Sequence, residues 1–413
     1  MALNYVWIGF FIIAFAVALF KLIVFQDYDI FQQIVTGTFD SAKTGAEISL
    51  GLAGLMAFWL GIMKIGEKGG MIQVFAKAVG PFFHKLFPEV PKNHPAFGSI
   101  LMNFSANMLG LDNAATPVGL KAMKELQDLN PDKETATNAQ IMFLVLNASS
   151  LTLLPISIMA YRKEAGAADP ADVFIPILLA TFFSTLVGLI TVAIYQKINL
   201  LQKTVLLYLG GLSVFIGGLL FYFSTLQPEE INVISKVAGN VILFSIIISF
   251  ITLAFFRKVN VFETFIEGAK EGFEIAVKII PYLVGILVAV GVLRASGTMD
   301  YIVQGISSLV AMFGLDTSFV EAIPVALMKP MSGSGARGLM VELMAKNGAD
   351  NFASRVASVI QGSTETTFYV LAVYFGSVSI KRTRHALPCA LLAEFAGVIA
   401  AIIIAYIFFG STI

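Results

Sequence analysis

Long apolar runs dominate the chain, and polar residues gather between them instead of alternating with them. A membrane-crossing helix needs about 20 mostly apolar residues. Runs that meet or approach that length are Val6–Phe25, Ile48–Met63, Ala139–Ala160, Val173–Ile194, Val205–Phe223, Val241–Phe256, Val277–Leu293, Ala357–Val378 and Leu387–Phe409. They predict about nine crossings. Continuous runs, without strict alternation, argue against a lipid-facing barrel. No Lys or Arg precedes Val6 and no clear small-residue cleavage site follows Phe25. The first run is therefore expected to be retained as a helix, not removed as a signal peptide.

Four other segments do not fit simple spans. Gly70–Phe87 and Met299–Phe313 are amphipathic and are expected to lie along the interface. Phe97–Leu111 and Val320–Leu339 are apolar but interrupted by Gly, Pro, Asn and Ser. They predict re-entrant hairpins or discontinuous helices, which membranes tolerate only where the backbone is buried in protein or lines a cavity.

The pattern also repeats. Ala42-Lys43-Thr44-Gly45-Ala46-Glu47-Ile48 returns 227 positions later as Ala269-Lys270-Glu271-Gly272-Phe273-Glu274-Ile275. At that offset Gly70 falls on Gly297, Ser105 on Ser332 and Asn107 on Ser334. Asn147-Ala148-Ser149-Ser150-Leu151-Thr152 falls on Gln361-Gly362-Ser363-Thr364-Glu365-Thr366 after a short deletion, expected within Asn113–Lys133. Two diverged copies, residues 1–200 and 231–413, with a linking transmembrane helix at 201–230, account for these matches. Basic residues cluster after the second helix of copy one (Lys64, Lys68, Lys77, Lys85, Lys92). In copy two they cluster at Arg257, Lys258, Lys381, Arg382 and Arg384. Placing all of them in the cytoplasm favours inverted copies over parallel ones.

Composition supports the same class. Of 413 residues, 57% are hydrophobic and 13% charged, with a mean hydropathy of +0.83. A soluble globule carries about a quarter charged residues, so the apolar excess is expected to face lipid. The expectation is an all-α polytopic protein of the inner (plasma) membrane. Lys and Arg total 27, as do Asp and Glu, so no net basicity points to nucleic acid. The lone Cys389 reads as a small core residue, and His84, His94 and His385 as interfacial residues. Lys121–Glu134 reads as a solvated charged segment. With no P-loop, HExxH or nucleophile-elbow pattern, the sequence predicts no enzyme, cofactor or metal site.

Polar residues inside apolar segments are costly and default to function. In copy one they are Asn103, Ser105, Asn107, Asn113, Asn147, Ser149 and Ser150. In copy two they are Lys329, Ser332, Ser334, Arg337, Gln361, Ser363, Thr364, Glu365 and Thr366. Around Lys329–Arg337, Gly and Ser let a ligand approach the backbone. A helix starting there would aim its N–H groups inward. That suits a carboxylate or another anionic or dipolar group; the alternative is a tight crossing of small residues. Glu365 stands as an ion-pair partner of Lys329 or Arg337, or as the carrier of a coupling proton or cation. Its counterpart in copy one is Leu151.

These motifs resemble known families. Met102-Asn103-Phe104-Ser105-Ala106-Asn107-Met108-Leu109-Gly110-Leu111-Asp112-Asn113-Ala114-Ala115-Thr116-Pro117 and Leu146-Asn147-Ala148-Ser149-Ser150 resemble spore maturation protein A. Met328-Lys329-Pro330-Met331-Ser332-Gly333-Ser334-Gly335-Ala336-Arg337-Gly338 and Gln361-Gly362-Ser363-Thr364-Glu365-Thr366-Thr367 resemble spore maturation protein B. Here both are joined in one chain. The resemblance implies the nucleoside recognition, or Gate, superfamily, which is similar to concentrative nucleoside transporters and to the membrane part of ferrous-iron transporter B. It implies transport as a class. The leading expectation is a permease for a small polar solute, carboxylate-bearing or nucleoside-like, bound between the repeats. Its expected partners are the bilayer, the solute, a coupling proton or sodium ion, and further copies of the chain. The competing expectation is a non-transporting scaffold or assembly factor whose polar motifs are packing glue.

Overall fold

A computed structural model of the chain describes residues 2–91, 93–110 and 112–410; the side chains of residues 2, 3, 112–114, 224, 228, 229 and 232 lie outside the description. The fold is all-α. In chain order the helices are α1 (Ala2–Val24), α2 (Ile30–Lys68), α3 (Met71–Leu86), α4 (Pro95–Met108), α5 (Asp112–Asp128), α6 (Asn138–Ser149), α7 (Ile156–Glu164) and α8 (Phe174–Gln196). A short α9 (Lys203–Val205) runs through a π-turn into α10 (Gly211–Ser224). Then come α11 (Pro228–Phe256), α12 (Val261–Ala295), α13 (Thr298–Met312), α14 (Ile323–Met328), α15 (Gly333–Asn347), α16 (Phe352–Ser363), α17 (Thr367–Ser377) and α18 (Ala386–Phe409).

Seven of these segments are long and apolar enough to cross a membrane by themselves, and they correspond to seven of the nine expected runs. The other two, Ala139–Ala160 and Ala357–Val378, are not continuous spans. Each is broken at its middle, into α6 and α7 and into α16 and α17. The breaks have local causes. Ser150 adopts a left-handed conformation (φ 39°), and Leu154 precedes Pro155, a step that disfavours helix. After Ser363 the run Thr364-Glu365-Thr366-Thr367 is β-branched and hydroxyl-rich, which competes with helical hydrogen bonding. The two breaks meet, with Glu365 N donating to Ala148 O at 2.9 Å. Apolarity alone concealed these interruptions.

The runs Ile48–Met63 and Val277–Leu293 are the centres of much longer helices, of 39 and 35 residues. At 1.5 Å per residue these are roughly 50–60 Å long, well beyond a hydrocarbon core of about 30 Å. They pair antiparallel through backbone-close positions. A Cβ added at Gly45 would meet Val284 Cα at 3.0 Å, and one at Gly272 would meet Ala57 Cα at 2.7 Å. One at Gly291 would meet Ser41, and one at Gly268 would meet Lys64 Cβ at 2.6 Å. At the 227-position offset these contacts are mutual: Gly45 with Val284 mirrors Gly272 with Ala57, and Ser41 with Gly291 mirrors Gly268 with Lys64. Mutual contact of this kind is what a two-fold relation between two surfaces produces. The left-handed glycines Gly70 (φ 81°) and Gly297 (φ 80°) then start α3 and α13 at matching positions.

Charged loops tie the halves at both ends of the broken helices. At one end Arg162, on α7, is fully buried and pairs with Asp172 (2.8 Å) and Asp350 (3.1 Å), while Arg355 on α16 joins Asp172 (2.9 Å). At the other end Lys381 pairs with Glu134 (2.6 Å) and Arg382 with Asp132 (3.0 Å). The Lys121–Glu134 segment thus ends as part of a loop clamp, helical only to Asp128.

Candidate functional site

Where the two breaks cross, a cavity of about 230 Å³ opens against the α2–α12 pair. That is some fifteen to twenty times what one water requires, at about 10–15 Å³ each. Its walls include Lys329, Gly333, Arg337, Gln361, Thr364 and Glu365 from the second half. From the first half come Gly110, Thr152, Pro155 and Ser157, and from the long helices Lys64, Glu67 and Glu271.

Local structure explains each placement. Ser332 caps α15, its Oγ accepting from Gly335 N at 3.0 Å. This brings the N-terminal turn of α15, at Gly333, to the cavity wall, where its unpaired N–H groups concentrate partial positive charge. Arg337 follows one turn later, with its guanidinium 5.6 Å from the centre of the Tyr161 ring. Lys329 Nζ donates to Gln361 O at 2.8 Å, at the carbonyl end of α16. Gln361 Nε2 reaches Gly333 O at 3.4 Å. Gln361 Oε1 and Thr364 Oγ1 are buried without a hydrogen-bond partner among the described residues. Glu365 is exposed within the cavity wall. The site therefore brings cations, helix N–H groups and the Glu365 carboxylate to one cavity.

The remaining predicted residues lie elsewhere. Asn107 Nδ2 donates to Asn147 Oδ1 (2.7 Å), Tyr374 Oη donates to the same oxygen (3.3 Å), and Asn103 Nδ2 donates to Ala115 O (2.8 Å). These three asparagines form a buried network in the first half, with Ser105 also buried beside Asn103. Ser149 and Ser363 donate to their own helices, at Leu146 O and Ile360 O. Ser150 pairs with Thr152 (3.1 Å) and Ser332 with Ser334 (3.2 Å). Thr366 precedes α17 and lies against Gly333. The Asn113 side chain lies outside the described residues.

Four residues emerged only from the structure. Lys64, Glu67 and Glu271 form an ion-pair cluster at the cavity, Lys64 lying 3.1 Å from Glu271 and 3.5 Å from Glu67. They sit in the polar flanks that the hydropathy pattern places outside the spans. Glu394, within α18, is 3% exposed and accepts from Thr367 Oγ1 at 2.5 Å. An acid in an otherwise apolar 24-residue helix was itself a readable signal.

Comparison with known proteins fits this architecture. Spore maturation protein B of Bacillus subtilis (strain 168) is 50% identical over 155 residues, covering 38% of this chain and 85% of the relative. Spore maturation protein A of the same organism is 42% identical over 153 residues, covering 37% of this chain and 78% of the relative. No solved structure matches the chain. The family described as Gate, nucleoside recognition, matches residues 49–168 and 276–381, more than half of the sequence and both walls of the cavity. The chain is a member of the Gate, or nucleoside recognition, family.

Proposed function

We propose that this protein is a permease of the inner (plasma) membrane that moves a small polar solute, chemically unchanged, through the cavity between its halves. One observation carries the reading: the cavity lies where two broken helices cross, and Lys329, Arg337, Gln361, Thr364 and the exposed Glu365 line it. Broken helices are tolerated at membrane depth where they line such a site.

The halves, about 1–200 and 231–413, are read as inverted repeats. The mutual contacts of α2 and α12 support this reading, since a two-fold axis perpendicular to two antiparallel helices would produce them. If those helices cross the bilayer, that axis lies in its plane. The solute is read as carboxylate-bearing or nucleoside-like, its acceptor groups meeting Arg337 and the start of α15 and its donor groups meeting Gln361, Thr364 and Glu365.

The test is thermal stabilisation of purified protein against nucleosides, amino acids and dicarboxylates, followed by flux in proteoliposomes. A ligand at about 100 times its Kd adds about 2.7 kcal/mol. Glu365→Gln or Arg337→Met should remove the shift without unfolding the protein. Normal flux in both variants would take the cavity out of the pathway.

A scaffold role is the second reading. It is favoured by the first-half network of Asn103, Asn107, Asn147 and Tyr374, whose polar groups bond to one another as packing glue does. A cysteine at Thr152, half-buried in the cavity wall, separates the two readings, because the native Cys389 is fully buried and gives no background. A permease should label there with a polar thiol reagent, and a dry scaffold should not.

A further inference from the structure

A helix that ends buried in protein leaves its last carbonyls without helical partners and concentrates negative charge at that end. Helix α16 ends so at Ser363, and the group that meets it is a side-chain ammonium. Lys329 Nζ donates to Gln361 O at 2.8 Å, and the lysine is 4% exposed. Oxygens crowd this place. Gln361 Oε1, Thr364 Oγ1 and Glu394 Oε1 are buried with no hydrogen-bond partner among the described residues. Glu394 reaches the same break through Thr367, whose Oγ1 donates to its Oε2 at 2.5 Å. Helix α18 presses on the break, since a Cβ added at Gly397 would meet Thr364 Cγ2 at 2.7 Å.

A helix C-terminus, freed side-chain oxygens and a carboxylate are the donor set that hard monovalent cations take in broken membrane helices. We propose that Lys329 is a tethered cation filling a sodium-type site: its ammonium holds the carbonyl end of α16 at the break that Glu394 reaches through Thr367, so the break closes without sodium. The inference rests on the permease reading for its role in coupling, but the cation site can be tested without any solute.

The experiment uses the purified full chain in detergent, with thermal midpoints in sodium chloride and in choline chloride at equal ionic strength. The wild type should unfold at the same temperature in both. Lys329→Ala and Lys329→Met should unfold earlier in choline and recover as sodium is raised, with the saturation of a single site. In the Lys329→Met background, Glu394→Gln should restore stability in choline and abolish the sodium response, because it removes the unpaired buried charge. A wild type stabilised by sodium overturns the proposal, as do lysine variants that fold yet ignore sodium. If the single variants fold in neither salt, a Lys329→Met/Glu394→Gln protein that responds to sodium also overturns it. Solute-induced stabilisation of the wild type is independent of these outcomes, so failure here leaves the permease reading standing.

Discussion

Replacing Gly272 with alanine tests the seam on which the fold turns. On an exposed helix, alanine in place of glycine adds about 0.5–1 kcal/mol. Gly54 is the internal control, because it is exposed and nothing lies within 4 Å of an added Cβ. At Gly272 the new Cβ would sit 2.7 Å from Ala57 Cα and would also strike the Met56 carbonyl. These are backbone atoms, which no rotamer change can move, so α2 and α12 must part. Restoring contact near 3.5–4 Å opens the seam by about 1 Å, enough to forfeit a quarter to a half of each neighbouring dispersion contact. Overpacking of this kind costs about 1–3 kcal/mol. The propensity gain offsets part of that, leaving a net loss of about 1–2 kcal/mol. Gly268→Ala should behave alike, since its Cβ would lie 2.6 Å from Lys64 Cβ. The double variant should lose less than the sum, because both changes open one seam. The assay is thermal unfolding in detergent of Gly54→Ala, Gly268→Ala, Gly272→Ala and the double variant in parallel. Gly54→Ala should match or exceed the wild type. A Gly272→Ala protein as stable as Gly54→Ala would refute the close packing of the two long helices.

Arg162→Met should cost about 3–5 kcal/mol by leaving Asp172 and Asp350 short of a buried partner, while exposed Lys163→Met should stay within about 0.5 kcal/mol; folded yield and thermal midpoint measure both. At the opposite clamp, burial and then Arg384 hold the His385 imidazole below its ordinary range. Its contribution is therefore complete above pH 6.5 or so and is lost as pH falls through the lowered value; His385→Gln should flatten that limb of a stability–pH curve. Asn147→Leu removes the acceptor shared by Asn107 and Tyr374 and should cost about 1–3 kcal/mol through the loss of two hydrogen bonds, read as a lower thermal midpoint.

Helix positions were legible in this sequence because lipid exposure leaves a long apolar run, and seven such runs are helices. The breaks were legible only where Gly, Pro and Ser interrupt the run, as at Lys329–Arg337. At Ala139–Ala160 and Ala357–Val378 the flanking halves are so apolar that averaging concealed Ser150 and Thr364. The candidate site divided along a similar line. Charges inside apolar stretches, Lys329, Arg337 and Glu365, do reach the cavity. Hydroxyls and amides of equal apparent promise, such as Ser149, Ser363 and Asn147, bond to nearby backbone or to each other. A sequence reports that a polar group is present and does not report which partner satisfies it. Lys64 and Glu271 were missed for the converse reason, since they belong to flanks whose helices run far past the apolar window.

The cavity draws its walls from both halves, and the asparagine cluster of the first half lies apart from it. In the second half, Arg337 faces Tyr161 from the first, beside Gln361 and the open cavity. In the first half, Tyr374 from the second reaches Asn147 and Asn103, and the amides close on one another. Each half thus lends a tyrosine to the other's broken segment. On the permease reading, this asymmetry is one orientation of an alternating-access cycle, and the other orientation would open the asparagine network and close the cavity. The energies permit the exchange. Three neutral hydrogen bonds at about 0.5–1.5 kcal/mol each hold the closed half, roughly 1.5–4.5 kcal/mol together. A solute with a Kd between about 1 mM and 1 μM supplies about 4–8 kcal/mol on binding. A ligand shifts such an equilibrium only by its difference in affinity between the states. A first-half site must therefore be weaker or differently charged than the second, and the sequence does differ there: at the repeat offsets Lys329, Arg337 and Glu365 fall on the uncharged Met102, Gly110 and Leu151.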